Sequence, residues 1–159
     1  MIRIRLLAMD VDGTLTNGKI YLGEKGEMMK AFNVKDGYAI HALLPDYGIT
    51  PVIITGRKSA IVDIRAQELG VDLVFQDIKN KLALVKQLAA EREITLDEIA
   101  FIGDDTNDLE SIKACGCSGC PNDASPEIRA CSEFVSSKNG GTGAVREFIE
   151  YIIKRNLGA

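Results

Sequence analysis

Asp10 and Asp12 stand one residue apart at the end of an apolar run, "LLAMDVDGT". Residues two apart on an extended chain share a face, so these carboxylates repel each other unless solvent or a cation intervenes. Further along, "PVIIT" ends in Thr55, Gly56 and Arg57, and "AFIG" ends in Asp104 and Asp105, followed by Asn107 and Asp108. Lys81 opens a helical pattern after a fourth run, "VDLVF". Taken singly, each has a plain explanation: Asp, Thr and Asn after a strand cap helices and form turns, and a lone lysine is usually solvated. Gathered at one place, they suit phosphoryl transfer assisted by Mg²⁺. A hard divalent cation takes oxygen ligands, for which Asp10 and Asp104 offer carboxylates, and it screens a phosphate dianion from an attacking carboxylate. Thr55 offers a hydroxyl and a backbone N–H to phosphate oxygens, and Lys81 an ammonium. Gly13 and Gly56 allow close backbone approach. There is no Walker-type lysine loop, which excludes a P-loop nucleotide site.

Such a cluster needs elements that deliver distant residues to one edge. "IRLLAMDV", "TPVIIT", "VDLVF", "EIAFIG", "GCSGC" and "EFVS" read as strands, the first four as the continuous apolar runs of a parallel sheet covered on both faces. Helical stripes alternate with them: Ile61, Ile64 and Leu69; Leu82, Val85, Leu88 and Ala89; and Val145, Phe148, Ile149, Ile152 and Ile153. The alternation predicts an α/β fold, a Rossmann-like doubly wound parallel sheet, as one domain over residues 1–159. The polar residues named above then fall at strand exits, on the edge where such sheets bind ligands. Residues 18–34 break the rhythm. They read as a β-hairpin around "GEKG", with Met28, Met29 and Phe32 placed to cover something or to meet a partner. A helix is expected to follow at about Asp36 and to be closed early by Pro45.

Composition narrows the function classes. With 19 Lys+Arg against 23 Asp+Glu, a net charge of -4 and no basic run, nothing favours binding to nucleic acid or an anionic membrane. No apolar stretch reaches membrane-spanning length and the start has no signal-peptide pattern, so a cytoplasmic location is expected. Free thiols follow for the cysteines. Cys115, Cys117 and Cys120 lack the paired knuckles of a zinc site and read as small apolar packing.

"DVDGT", a strand ending in "TG", a lysine before a helix and "GDDTND", in this order, resemble the four motifs of the haloacid dehalogenase superfamily of phosphatases. The resemblance implies a covalent route in which Asp10 attacks phosphorus and Asp12 protonates the leaving oxygen, then takes a proton from water. It also implies that Mg²⁺ is held by the Asp10 carboxylate, the Asp12 backbone carbonyl and Asp104, with Asn107 and Asp108 in support. Thr55, Gly56 and Lys81 would hold the phosphate. "TNGKIYLGEKGEMMKAFNVKDGYAI", "IITGRKS" and "NGGTGAVREFIEYI" further resemble the 3-deoxy-D-manno-octulosonate 8-phosphate phosphatases, a group without a cap domain. That implies a sugar acid phosphate substrate within lipopolysaccharide biosynthesis, a homotetramer assembled through the hairpin, and a glycine-rich tail loop able to reach an adjacent site. Asp36, Arg57 and Arg146 become candidate substrate contacts, Arg57 foremost because its planar fork suits a carboxylate. For Arg146 a solvated helix residue or an ion pair is an equal alternative. Nine-carbon ulosonate 9-phosphates are the alternative substrates, and a non-catalytic sugar-phosphate-binding or assembly subunit is the alternative class.

Overall fold

The computed structural model describes residues 2–158. Its centre is a six-stranded parallel sheet in the order β5-β4-β1-β6-β7-β8, and a separate two-stranded antiparallel hairpin pairs β2 with β3. The sheet strands are β1 (Leu6–Met9), β4 (Thr50–Ile54), β5 (Leu73–Phe75), β6 (Ile99–Ile102), β7 (Cys117–Cys120) and β8 (Phe134–Val135); the hairpin strands are β2 (Tyr21–Gly23) and β3 (Gly26–Met29). All six expected sheet strands are present. β1 is central because the chain winds outward from it to β4 and β5, then returns to β6 on its other side. That reversal places the exits of β4, β1 and β6 side by side, the crevice where open α/β sheets bind ligands.

Alternation along each strand feeds two cores. In β1, Leu7 and Met9 join Ile53, Val62, Phe148, Ile149 and Ile152, beneath α3 (Ala60–Leu69) and α7 (Ala144–Leu157). Leu6 and Ala8 join Val52, Val85, Leu88, Phe101 and Ile128 on the other face, beneath α4 (Lys81–Glu91), α5 (Leu109–Ala114) and α6 (Pro126–Cys131). Each large aliphatic side chain buried this way contributes about 1.5–3 kcal/mol.

Two expectations are corrected. On α3 the buried stripe is Val62, Ala66 and Leu69, while Ile64 is 66% exposed. The i, i+4, i+7 set meets the sheet, and Ile64 lies off that face. Pro45 does not close the helix ahead of itself. The chain runs from α1 (Val34–Tyr38) through a π-helical stretch (Ala39–Leu43) into α2 (Leu44–Asp46), with Pro45 within the first turn of that last piece. Directly ahead of it the helical ladder widens, Leu44 N donating to Ala39 O five residues back, and the helix continues past the N–H that Pro45 lacks. The turn ends instead at Gly48, whose φ of 68° suits glycine. Phe32, just past the hairpin strands, takes the first of the two roles expected of it: it covers the core, with the Arg65 guanidinium 5.4 Å from its ring centroid.

The cysteines are all free, with Cys117 and Cys120 buried in the sheet. Burial pushes the Cys115 and Cys117 thiols up to about 12, so they pack as small apolar groups.

Candidate active site

β1 ends at Met9, and Asp10 follows with its N–H donating to the Ile102 carbonyl of β6 at 3.1 Å, so the backbone ladder itself sets this carboxylate at the crevice. Thr55 follows β4 and is fixed from both sides: its N–H donates to Phe75 O (3.0 Å) and its carbonyl accepts from Ile78 N (3.1 Å). Lys81 is the first residue of α4, where the Asn80 side chain accepts from Ala83 N at 2.9 Å and so defines the helix start. Its side chain reaches back under the strand exits. Although only 2% exposed, it donates to Asp10 Oδ1 and Asp108 Oδ1, each at 2.7 Å.

The turn after β6 is a capping structure and a site at once. Asp105 accepts from Thr106 N, and Asp108 Oδ2 accepts from Asp104 N at 3.0 Å, so Asp108 clasps the turn that presents Asp104. Thr14 Oγ1 donates to Asp104 Oδ1 at 3.2 Å. Gly13, at φ 87°, lies over the same carboxylate, and a Cβ there would run into it. Glycine at 13 is therefore what lets the first loop close on Asp104. Gly56 is different: a Cβ would meet only Ile78 O at 3.7 Å and Asn107 Nδ2 at 3.9 Å, ordinary contacts, so nothing within the chain requires glycine there.

Carboxylate oxygens of Asp10, Asp104 and Asp108 lie within 4.8 Å of one another. Burial, then the neighbouring Asp10, pushes the Asp104 carboxyl up to about 9; burial and Asp10 also raise Asp108, to about 6, against the pull of Lys81. For Lys81, burial alone would lower its pKa, but Asp10 and Asp108 outweigh it and hold the ammonium above the ordinary lysine value. One lysine does not balance three carboxyls. An oxygen-rich, electron-rich set of this kind fits a hard divalent cation.

Above the cluster opens a cleft of about 180 Å³ lined by Asp10, Asp12, Thr55, Gly56, Arg57, Asp104, Asp105 and Asn107. Asp108 and Lys81 form its buried floor. The structure thus brings nine of the eleven residues singled out in the sequence to one crevice. Asp36 and Arg146 do not line it. Asp36 is buried at the start of α7, where its Oδ1 accepts from Arg146 N at 2.9 Å, while the Arg146 side chain pairs with Glu150 at 2.5 Å and lies over Tyr38. Within the chain, these two residues tie α1 to α7. The glycine-rich tail loop docks on its own chain as well: Gly141 N donates to Thr14 O at 3.1 Å, and Gly140 is packed against the backbone of Gly13 and Thr16.

Sequence reasoning missed Lys30. Its side chain is 2% exposed, and Nζ sits 2.5 Å from Asp12 Oδ1 and 3.1 Å from Glu27 Oε2. The available signal was a lone cation inside the apolar stretch "MMKAF".

A parallel sheet with this strand order, an aspartate pair leaving its central strand and a lysine-supported acidic turn beside it define a haloacid dehalogenase-like hydrolase. A family model of that description matches residues 71–149. The 3-deoxy-D-manno-octulosonate 8-phosphate phosphatase of Escherichia coli is 40% identical over 150 residues, covering 94% of this chain and 79% of the relative. Among solved structures, the Moraxella catarrhalis enzyme of that name, in complex with magnesium ion, phosphate ion and KDO, has 41% identity and a TM-score of 0.92, covering 98% of this chain and 88% of its own. The Yersinia pestis enzyme has 38% identity and a TM-score of 0.92, covering 99% and 86%. The chain belongs to the 3-deoxy-D-manno-octulosonate 8-phosphate phosphatase family of haloacid dehalogenase-like hydrolases.

Proposed function

We propose that the chain is a Mg²⁺-dependent phosphomonoesterase that hydrolyses 3-deoxy-D-manno-octulosonate 8-phosphate through an aspartyl-phosphate on Asp10. The observation that carries this reading is the convergence of Asp10, Asp104 and Asp108 around buried Lys81 at the floor of an open cleft. Asp10, Asp104 and the Asp12 backbone carbonyl would hold the Mg²⁺, which when bound neutralises carboxylate and phosphate charge.

The chain's own residues account for the remaining chemistry. Lys81 holds Asp10 Oδ1, which leaves Oδ2 as the nucleophilic oxygen. As the Oδ2–P bond forms, the bond from phosphorus to the sugar oxygen breaks, and Asp12 delivers a proton to that oxygen. Water then attacks phosphorus while Asp12 takes its proton; the Oδ2–P bond breaks and the Asp10 carboxylate returns. The Thr55 hydroxyl and the Gly56 N–H are placed to hold phosphate oxygens along the cleft wall. Arg57, half-exposed on the same wall, is the group suited to the substrate carboxylate. Asn107 lines the wall beside Asp104, and Asp108 keeps the Asp104 turn closed.

Phosphate release from this substrate with Mg²⁺, abolished by chelation and by Asp10→Asn, tests the proposal. Tight sugar-phosphate binding without turnover would instead make the chain a binding subunit.

Assembly as a homotetramer through the hairpin belongs to the same reading. A two-stranded hairpin is marginal alone, yet β2 and β3 expose Leu22 at 69% and Met28 at 68%, beside Met29 and Ile20. Apolar side chains on so small an element favour a partner copy. The expected setting is cytoplasmic, within lipopolysaccharide biosynthesis; among the described residues no helix is long and apolar enough to cross a membrane.

A further inference from the structure

Lys30 lies one residue past β3 with its side chain only 2% exposed, yet it does not line the cleft. A buried ammonium is destabilising by several kcal/mol unless paired, and Lys30 has two carboxylate partners. Glu27, on the same hairpin, would suffice to neutralise it. The second partner, Asp12, is a cleft residue that donates and accepts the proton in the proposed reaction. The contacts run on from there. Glu27 Oε1 accepts from Ser59 Oγ at 2.5 Å, and Glu27 Oε2 lies 3.4 Å from an Arg57 Nη2. Ser59 is itself clamped to Gln76, its N–H donating to Gln76 Oε1 at 2.7 Å and its carbonyl accepting from Gln76 Nε2 at 3.1 Å. The lysine is thus braced through Glu27 on the segment that follows Thr55.

We propose that Lys30 is a positioning residue: it fixes Asp12 Oδ1 so that Oδ2 alone faces the leaving oxygen, and Glu27 with Ser59 holds the lysine in place. The proposal rests on the reading of Asp12 as the proton-transfer group. Displacement of a reacting group by about 1 Å can lower a rate on the order of 100-fold, so restraint of one carboxylate is enough to matter. The hairpin, on this view, completes the catalytic constellation within its own chain.

The experiment compares first-turnover release of the leaving group from 3-deoxy-D-manno-octulosonate 8-phosphate, a poor leaving group that needs a proton, and from 4-nitrophenyl phosphate, which does not. Lys30→Met lowers release of the sugar roughly 30- to 100-fold and release of nitrophenol less than about threefold, with KM little changed. Lys30→Arg, which keeps the cation, restores most of the loss. Parallel loss on both substrates marks a merely structural role and overturns the proposal, as does no loss on either. If Lys30→Met does not fold, Glu27→Gln decides, because it frees the lysine from its brace and must give the same split in smaller measure; no split overturns the proposal. Asp12→Asn separates the two readings. If it spares the sugar phosphate, the role of Asp12 fails and that of Lys30 with it; if it splits the substrates and Lys30→Met does not, only the lysine's role fails.

Discussion

Lys81→Met isolates the electrostatics of the floor, because methionine keeps much of the side chain's volume and removes its charge. Removing one partner of a buried ion pair typically destabilises by about 3–5 kcal/mol, and Lys81 serves two carboxylates at 2.7 Å each. Protonation limits the damage. With folded-state pKa values of about 9 for Asp104 and about 6 for Asp108, both above the usual 3.8, the metal-free native state holds more protons than the unfolded chain. Stability therefore falls as pH rises from near 4 through those two values, and the carboxyls supply least repulsion at the acid end. Lys81 itself stays charged throughout that range, since its folded pKa lies above the unfolded 10.5, so what changes with pH is the charge on its carboxylate partners. The expected loss is about 3–4 kcal/mol at pH 8 and about 1–2 at pH 5, or roughly 6–16 °C and 2–8 °C in Tm for a chain of this size. Saturating Mg²⁺, which supplies positive charge to the same carboxylates, recovers at least half of the loss at pH 8. The assay is thermal unfolding by circular dichroism at both pH values, with Mg²⁺ and with chelator. An equal Tm loss in all four conditions would refute the reasoning, since it would make Lys81 a packing residue and not a counter-charge.

Arg57→Ala should raise KM for 3-deoxy-D-manno-octulosonate 8-phosphate about 10- to 100-fold while leaving kcat within about threefold, as expected for loss of a charge-assisted contact to an unreactive carboxylate; steady-state kinetics read the split, and an unchanged KM would remove Arg57 from substrate recognition. Leu22→Asp with Met28→Asp should dissociate the assembly, read by light scattering, and a tetramer surviving both changes would place its interface elsewhere. Asp36→Asn keeps an oxygen for Arg146 N and removes a buried charge whose Oδ2 has no partner. Burial raises the Asp36 pKa against the pull of the N–H groups of Arg146, Gly143 and Val145, so the ionised form is disfavoured in the native state. The variant should be as stable as the parent at pH 8 or up to about 1 kcal/mol more so, the advantage shrinking as pH falls toward the unfolded value of 3.8. A loss above about 2 kcal/mol at pH 8 would show that α7 needs the negative charge.

The strands were legible because their burial is local. β1, β4, β5 and β6 are short apolar runs ended by polar residues, and a parallel sheet covered on both faces leaves that trace directly in the sequence. The order of strand exits likewise allowed Asp10, Thr55, Lys81 and Asp104 to be placed on one edge, since a doubly wound sheet keeps its carboxyl ends together whatever its side chains do. The structure had to decide what each polar side chain meets. Asp36 and Arg146 follow motif positions near the site in sequence, yet they meet each other across 110 residues to start α7. Ile64 fits a helical stripe on paper, but Val62, Ala66 and Leu69 meet the sheet, and Ile64, two positions on from Val62, lies on the far side of the helix. Lys30 has neighbours in sequence that read as an oligomer surface, and only the fold of the hairpin over the first loop brings it to Asp12. Periodicity records whether a residue is buried, whereas electrostatic partnership depends on which distant segment closes over it. The paired aspartates were thus visible from the first, and the ammonium that sets the second of them was fixed by tertiary structure alone.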